Sequence, residues 1–197
     1  METRGEFPQA GRNDGRSRYS ASFIKNHPAF KSLKKLVLVT GATGFSGKYL
    51  CRLLAEKGYA VAAAGYSADF PNEFGEQLRL DISNEAAVRR LIQSLRPELI
   101  CHLAAQSVAQ HSWKNPQRTF RVNTAGTVYL LNAVRAYAPR ARVLFVSSNQ
   151  VYGRTFQNEK EVREQSLLWP QNPYATTKVL AEWACLNFGR QFGLNIV

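Results

Sequence analysis

Residues 36–58 read LVLVTGATGFSGKYLCRLLAEKG. The first five, Leu36 to Thr40, are apolar or β-branched without a break, the pattern of a strand covered on both faces. The part after Gly47 is amphipathic and predicts a helix over 45–57. Between them Gly41, Gly44 and Gly47 are spaced G-x-x-G-x-x-G. At a strand-to-helix turn, glycines allow a tight bend, a close backbone approach to a pyrophosphate and close packing of helix on sheet. The phosphates would then lie at the positive end of the helix. A glycine turn alone is equally compatible with an ordinary connection, so the residues downstream have to decide.

Strands and helices alternate outward from this unit. Strands are expected near 59–64, 77–80, 98–103 and 141–147, and helices near 84–94, 116–137 and 173–191, with Asn172 and Pro173 as helix-start residues. That order predicts an α/β fold, a doubly wound parallel sheet of Rossmann type, whose ligand crevice lies outside the carboxyl ends of the strands. HLAAQS (102–107) and VSSNQ (146–150) should face that crevice. Cys101 and His102 fall within a predicted buried strand and are read as structural, since buried thiols are usually inert. Cys51, Cys101 and Cys185 show no metal-ligand or redox spacing, which fits a reducing cytoplasm, and no metal site is expected.

Tyr174 and Lys178 stand four residues apart in NPYATTK, with Ser148 upstream in VSSNQVYG. On a helix, positions i and i+4 share a face, so the Lys178 ammonium can stand beside the Tyr174 phenol and favour its ionised form. Lowering a phenol by roughly three units takes about 4 kcal/mol of differential stabilisation. A lysine together with an oxidised nicotinamide ring could supply it. The phenol could then exchange a proton with a substrate alcohol or ketone while the nicotinamide carries the hydride.

With these motifs in view, the chain from about Leu36 to Val197 resembles the extended short-chain dehydrogenase/reductases, the NAD-dependent epimerase/dehydratase group acting on sugar nucleotides. VTGATGFSG resembles the family's cofactor turn, LDIS its adenine-contacting segment and HLAAQS its second cofactor loop. RVNTAGT, SSNQVYG and YATTK resemble its active-site segments. The resemblance implies cofactor contacts at Gly41, Thr43, Gly44, Phe45, Ser46 and Gly47. It implies others at Asp81, Ile82, Leu103, Ala104, Ala105, Tyr174 and Lys178. It also implies catalytic roles: Ser148 hydrogen bonds the substrate oxygen, Tyr174 is the acid/base, Lys178 tunes the phenol and anchors the ribose, and Asn123 supports helix position and proton relay. The implied partner is a nucleotide-sugar substrate, with a homo-oligomer at full length.

The cofactor is NADP or NAD. In NAD enzymes of this shape an acidic side chain ends the second strand, whereas here that place is near Gly65 and no carboxylate appears before Asp69. This favours NADP, although no arginine stands there to attract a 2′-phosphate.

Within the family, the wording AAQSVAQHSWKNP is similar to the GDP-mannose 4,6-dehydratase and GDP-4-keto-6-deoxymannose reductase branch. Family dehydratases place acidic residues just after the Ser/Thr; here Asn149 and Gln150 stand there, and an amide cannot serve as a general base near neutral pH. A C4-keto reductase or an epimerase is therefore the preferred expectation, a dehydratase-like lyase the alternative. LNIV (194–197) is read as the start of a sixth strand, and the family continues from there into a small substrate lobe, so the chain is expected to be C-terminally incomplete. A non-catalytic dinucleotide-binding module is the rival that this expectation leaves open.

The 197 residues are 45% hydrophobic, enough for one sizeable core, and carry 26 basic against 14 acidic side chains. Residues 1–35 hold eight of the basic and three of the acidic ones, show no sustained period, and are expected to form a disordered basic extension to a domain over 36–197. Charge alone would suit a nucleic-acid partner, but no basic-aromatic motif accompanies it. No apolar run is long enough to span a bilayer. The expectation is therefore no nucleic acid and no membrane.

Overall fold

The computed structural model describes residues 35–67 and 76–197. The expectations for residues 1–34 and for Asp69 lie outside the described residues. Six strands form one sheet: β1 (Leu36–Thr40), β2 (Ala60–Gly65), β3 (Glu76–Arg79), β4 (Leu99–His102), β5 (Arg142–Phe145) and β6 (Asn195–Ile196). Their order is β3-β2-β1-β4-β5-β6 and every pairing is parallel. The order reverses beside β1, and in such sheets ligands bind at that reversal.

The unbroken apolar run of β1 has its explanation in two cores. Val37, Leu38 and Val39 are all fully buried. Val37 and Val39 pack with Cys51 of α1 (Phe45–Glu56) and with Val61 and Ala63 on one face. On the other face, Leu38 packs with Leu91 and Ile92 of α2 (Glu85–Leu95) and with Leu130 and Val134. A strand covered on both sides has no solvent face to make polar.

Local signals set the helix ends. The Asn84 side chain caps α2 by accepting from the Ala87 amide at 3.0 Å, and the helix stops where Arg96 turns left-handed at φ 44°. In the long helix Pro173–Phe192, Asn172 accepts from the Ala175 amide at 2.8 Å, Pro173 opens the first turn and Gly193 closes the last at φ 67°. Between β4 and β5 lie α3 (Ala109–Lys114), α4 (Pro116–Phe120) and α5 (Gly126–Tyr137), the last two joined by a π turn over Arg121–Ala125. A single helix over 116–137 is the sequence expectation. The structure widens it by a π turn because Asn123 turns inward to buried partners, which a period of apolar residues cannot reveal. The strand expected to reach 147 ends at Phe145, so Val146, Ser147 and Ser148 leave the sheet edge as a loop. After it come a short 3-10 turn (Asn149–Val151), α6 (Thr155–Asn158) and the long helix, α7. Among the described residues no helix is long and apolar enough to cross a membrane.

Gly47 is the tightest point of the strand-turn-helix unit. A Cβ there would lie 2.3 Å from the Gly41 carbonyl oxygen and 2.7 Å from Ala42 Cα, both backbone atoms that cannot swing aside. Gly47→Ala would gain about 1 kcal/mol of helix propensity, against about 1–3 kcal/mol for overpacking, with backbone obstacles pushing towards the upper end. The variant should melt below the parent protein in a thermal denaturation scan; an unchanged or higher Tm would contradict this account of the turn.

Candidate active site

The ends of β1, β2, β3 and β4 open onto one cleft of about 800 Å³. The glycine turn forms its floor, with Gly41, Thr43, Gly44, Phe45, Ser46 and Gly47 all lining it. Asp81 and Ile82 after β3 and Leu103, Ala104 and Ala105 after β4 form its sides, and Tyr174 and Lys178 of α7 stand at the far end. Each of these positions was legible from the motifs.

Two candidate residues lie elsewhere. Ser148 is not among the residues lining the cleft; it sits just beyond β5, and its Oγ accepts from the Gln150 amide at 3.2 Å. Asn123 is buried behind the wall. Its Oδ1 accepts from the Gln106 amide at 2.7 Å, while Nδ2 donates to the Gln106 carbonyl at 3.2 Å and to Thr177 Oγ1 at 3.0 Å. Thr177 in turn donates to the Tyr174 carbonyl at 2.6 Å. Asn123 therefore ties the loop after β4 to the first turn of α7, the turn that carries Tyr174.

Tyr174 and Lys178 are one helical turn apart and both buried, at 7% and 4% exposure. Lys178 Nζ donates to the Val146 carbonyl at 2.5 Å and lies 4.2 Å from the centre of the Phe145 ring. Burial pulls the amine from its ordinary 10.5 down to about 8, partly offset by Cys185 and Glu182. A group so placed and so perturbed in a cleft is a functional-site signature.

His102 is buried and is not among the residues lining the cleft. Thr127 Oγ1 donates its proton to the Asn123 carbonyl at 2.6 Å, so it must accept from His102 Nε2, 3.0 Å away. His102 Nδ1 then accepts from Thr40 Oγ1 at 2.7 Å. Both ring nitrogens are satisfied in the neutral form, and burial, with the Lys178 cation second, pushes the ring down to about 3. Burial disfavours the thiolates as well, raising Cys51 to about 11 and Cys185 to about 12, and raising Cys101.

The motifs did not reveal several cleft residues. Asn115, Gln117, Arg118 and Arg121 line the cleft without having been singled out, whereas Ser147 lines it within the VSSNQ segment expected to face the crevice. Ser147 Oγ is buried with no hydrogen-bond partner among the described residues. Such an orphan calls for a ligand or water. No side chain caps the amides of the first turn of α1, and Phe45, Ser46 and Gly47 of that turn line the cleft. A Cβ on Gly44 would meet only the Gly41 carbonyl, at 3.2 Å, so this side of the turn is open. With Lys178, Arg118 and Arg121 as cations against Asp81 as the one carboxylate among the described lining residues, the donor set fits an elongated anion such as a dinucleotide. Among the described residues no group of His, Cys, Asp and Glu could hold a metal ion.

Comparison with known proteins points the same way. A sequence profile of the family described as GDP-mannose 4,6 dehydratase matches residues 38–197. The chain is 32% identical to the GDP-mannose 4,6-dehydratase of Yersinia enterocolitica over 177 residues, covering 81% of this chain and 47% of that one. It is 32% identical to the GDP-6-deoxy-D-mannose reductase of Pseudomonas aeruginosa over 161 residues, covering 82% and 49%. The chain thus spans about half the length of the curated relatives it matches. Among solved structures, UDP-glucose 4-epimerase from Brucella ovis in complex with NAD superposes with a TM-score of 0.75 at 29% identity, covering 82% of this chain and 50% of that one. The Thermus thermophilus UDP-glucose 4-epimerase complex with NAD gives 0.74 at 30%, covering 82% and 53%.

Proposed function

The chain belongs to the GDP-mannose 4,6 dehydratase family, and from that premise we propose that it serves an NAD(P)-dependent hydride exchange at C4 of a nucleotide sugar, as a ketone reductase in preference to a dehydratase. The observation that carries this reading is the placing of Tyr174 and Lys178, buried and one turn apart, in the same cleft as the open glycine turn. When bound, the nicotinamide supplies or receives the hydride. The chain's own part is proton transfer and positioning. Tyr174 gives its phenolic proton to the C4 oxygen as a ketone is reduced and recovers it from solvent. Ser148 Oγ accepts from the Gln150 amide, which leaves its own proton to donate to that oxygen. Lys178, fixed to the Val146 carbonyl, holds positive charge near the phenol.

Gln150 supports reductase over dehydratase. Its Oε1 accepts from Asn172 Nδ2 at 3.0 Å, so a neutral amide, tied to the cap of α7, stands where a dehydratase needs a proton-abstracting carboxylate. The dehydratase reading remains the alternative, favoured by the family's description. NADP is preferred to NAD because the end of β2 offers no carboxylate: a Cβ on Gly65 would lie 2.3 Å from Thr43 Cγ2, so Thr43 fills that place. The test is a side-by-side assay with GDP-4-keto-6-deoxymannose plus NADPH and with GDP-mannose plus NADP. Turnover of the first alone supports the reductase reading, and dehydration of the second overturns it.

Gly44 provides a direct test of the coenzyme site. Its φ of −73° suits any residue and its open side faces no obstacle but one carbonyl, so Gly44→Val should fold. Its methyl groups would occupy the space the pyrophosphate needs. Calorimetric titration with NADPH should show binding lost or weakened by roughly tenfold or more, the loss of one good charge-assisted contact or worse. A folded variant with parental affinity would remove the turn from the site.

A further inference from the structure

Building on the coenzyme reading above, we propose that Arg118 and Arg121, which line the same cleft as the glycine turn, bind phosphate groups of the dinucleotide. Both line the cleft, and both are exposed. Neither guanidinium has an ion pair or hydrogen bond among the described residues. Three residues apart on continuous helical backbone, they project from one face. Among the described residues the one carboxylate lining the cleft, Asp81, is engaged with Ser83, accepting from its amide at 2.9 Å and its hydroxyl at 2.7 Å.

The wall that carries them is rigid. Asn115 Oδ1 accepts from the Arg118 amide at 3.0 Å, Thr119 Oγ1 donates to the Asn115 carbonyl at 3.0 Å and approaches Gln106 Oε1 at 3.3 Å, and Asn123 is clamped to Gln106. Beyond the π turn, a Cβ on Gly126 would meet Ile82 at 3.1 Å, which sets the start of α5 against the segment after β3, while Asn123 Nδ2 donates to Thr177 Oγ1 at 3.0 Å and Thr124 Oγ1 to the Thr177 carbonyl at 3.2 Å, so the stretch next to Arg121 is fixed to α7 as well. Two planar donors with no anionic partner among the described residues match phosphate oxygens, which guanidinium groups bind in a bidentate manner. Ala64, Gly65 and Tyr66 at the end of β2 carry no charge, so among the described residues lining the cleft Arg118 and Arg121 are the cations besides Lys178.

The test is fluorescence titration of the 197-residue protein with NADPH and with NADH, for the parent, for Arg118→Gln/Arg121→Gln, and for Arg89→Gln/Arg90→Gln. The last pair lies exposed on α2, outside the cleft lining, and removes the same net charge. Thermal melts establish that each variant is folded. The expected result is at least a tenfold loss of affinity in the Arg118/Arg121 variant and less than a twofold loss in the control. Loss for NADPH alone assigns the pair to the 2′-phosphate, and equal loss for both coenzymes assigns it to the diphosphate; either supports the proposal. Unchanged affinity in the folded Arg118/Arg121 variant, or an equal loss in the control, overturns it while leaving the coenzyme reading standing. Failure of the parent to bind either coenzyme would overturn both.

Discussion

Tyr174→Phe should lower turnover at least about a hundredfold while coenzyme affinity stays within about threefold of the parent. The phenol is the proton carrier in this account, and general acid/base groups contribute about 10²–10⁴-fold. The ring itself is 7% exposed and packs in the first turn of α7, so phenylalanine keeps the packing and removes only the hydroxyl. Because the chain spans about half the length of its relatives, the rate is best measured on this chain joined to the C-terminal half of a related reductase. Ser148, Tyr174 and Lys178 then all come from the sequence under test. Near-parental turnover by the phenylalanine variant would exclude the phenol as proton carrier.

Lys178→Met should change stability in a pH-dependent way that identifies the buried amine. The folded-state value of Lys178 is lowered to about 8 from 10.5, so between these the unfolded chain binds more protons than the folded one. Stability contributed by this group therefore rises with pH through that window, and below about 8 the full penalty of the buried charge is present. The shift corresponds to roughly 3 kcal/mol. Methionine carries no charge and is free of that penalty, although it leaves the Val146 carbonyl without its donor, a cost of about 1–3 kcal/mol. At neutral pH the two effects nearly cancel. At about pH 10 the parent has shed most of the proton and should be the more stable by a few kcal/mol. Denaturant unfolding of both proteins near neutrality and at about pH 10 checks this. A stability difference independent of pH would show that the Lys178 amine is not perturbed by burial. Coenzyme affinity and turnover should both fall in the same variant, since the buried charge is retained for function at the expense of stability.

Much of this architecture was legible in the chain because it is written in local pattern. The apolar run Leu36–Thr40, the glycine spacing and the Asn172-Pro173 cap each determine their own segment, and the structure places those elements where they were expected. The cleft positions in the turn and after β3 and β4, proposed here to hold the cofactor, follow from the same local logic, because strand ends in such a sheet converge on one crevice. What stayed hidden depends on contacts between distant residues. The π turn at Arg121–Ala125 exists around an asparagine whose partners lie 17 and 54 residues away. The tautomer of His102 is set through Thr127, and the orientation of the Gln150 amide, itself legible as a neutral group, through its bond to Asn172. Arg118 and Arg121 looked like two of many surface cations; only the fold brings that helix to the rim of the cleft. The unpartnered Ser147 hydroxyl was equally invisible, since burial without a partner is a property of packing alone.

The central claim is that the cleft carries hydride to C4 of a nucleotide sugar while Tyr174 supplies the proton. The joined protein, given GDP-4-keto-6-deoxymannose and NADPH deuterated at the transferred position, tests it most directly by mass spectrometry and proton spectra of the product. The account predicts one deuterium at C4 in the parent's product and at least about a hundredfold less labelled product from Tyr174→Phe over the same initial period. Reduction without deuterium at C4, or equal amounts of labelled product from the two proteins, would contradict it.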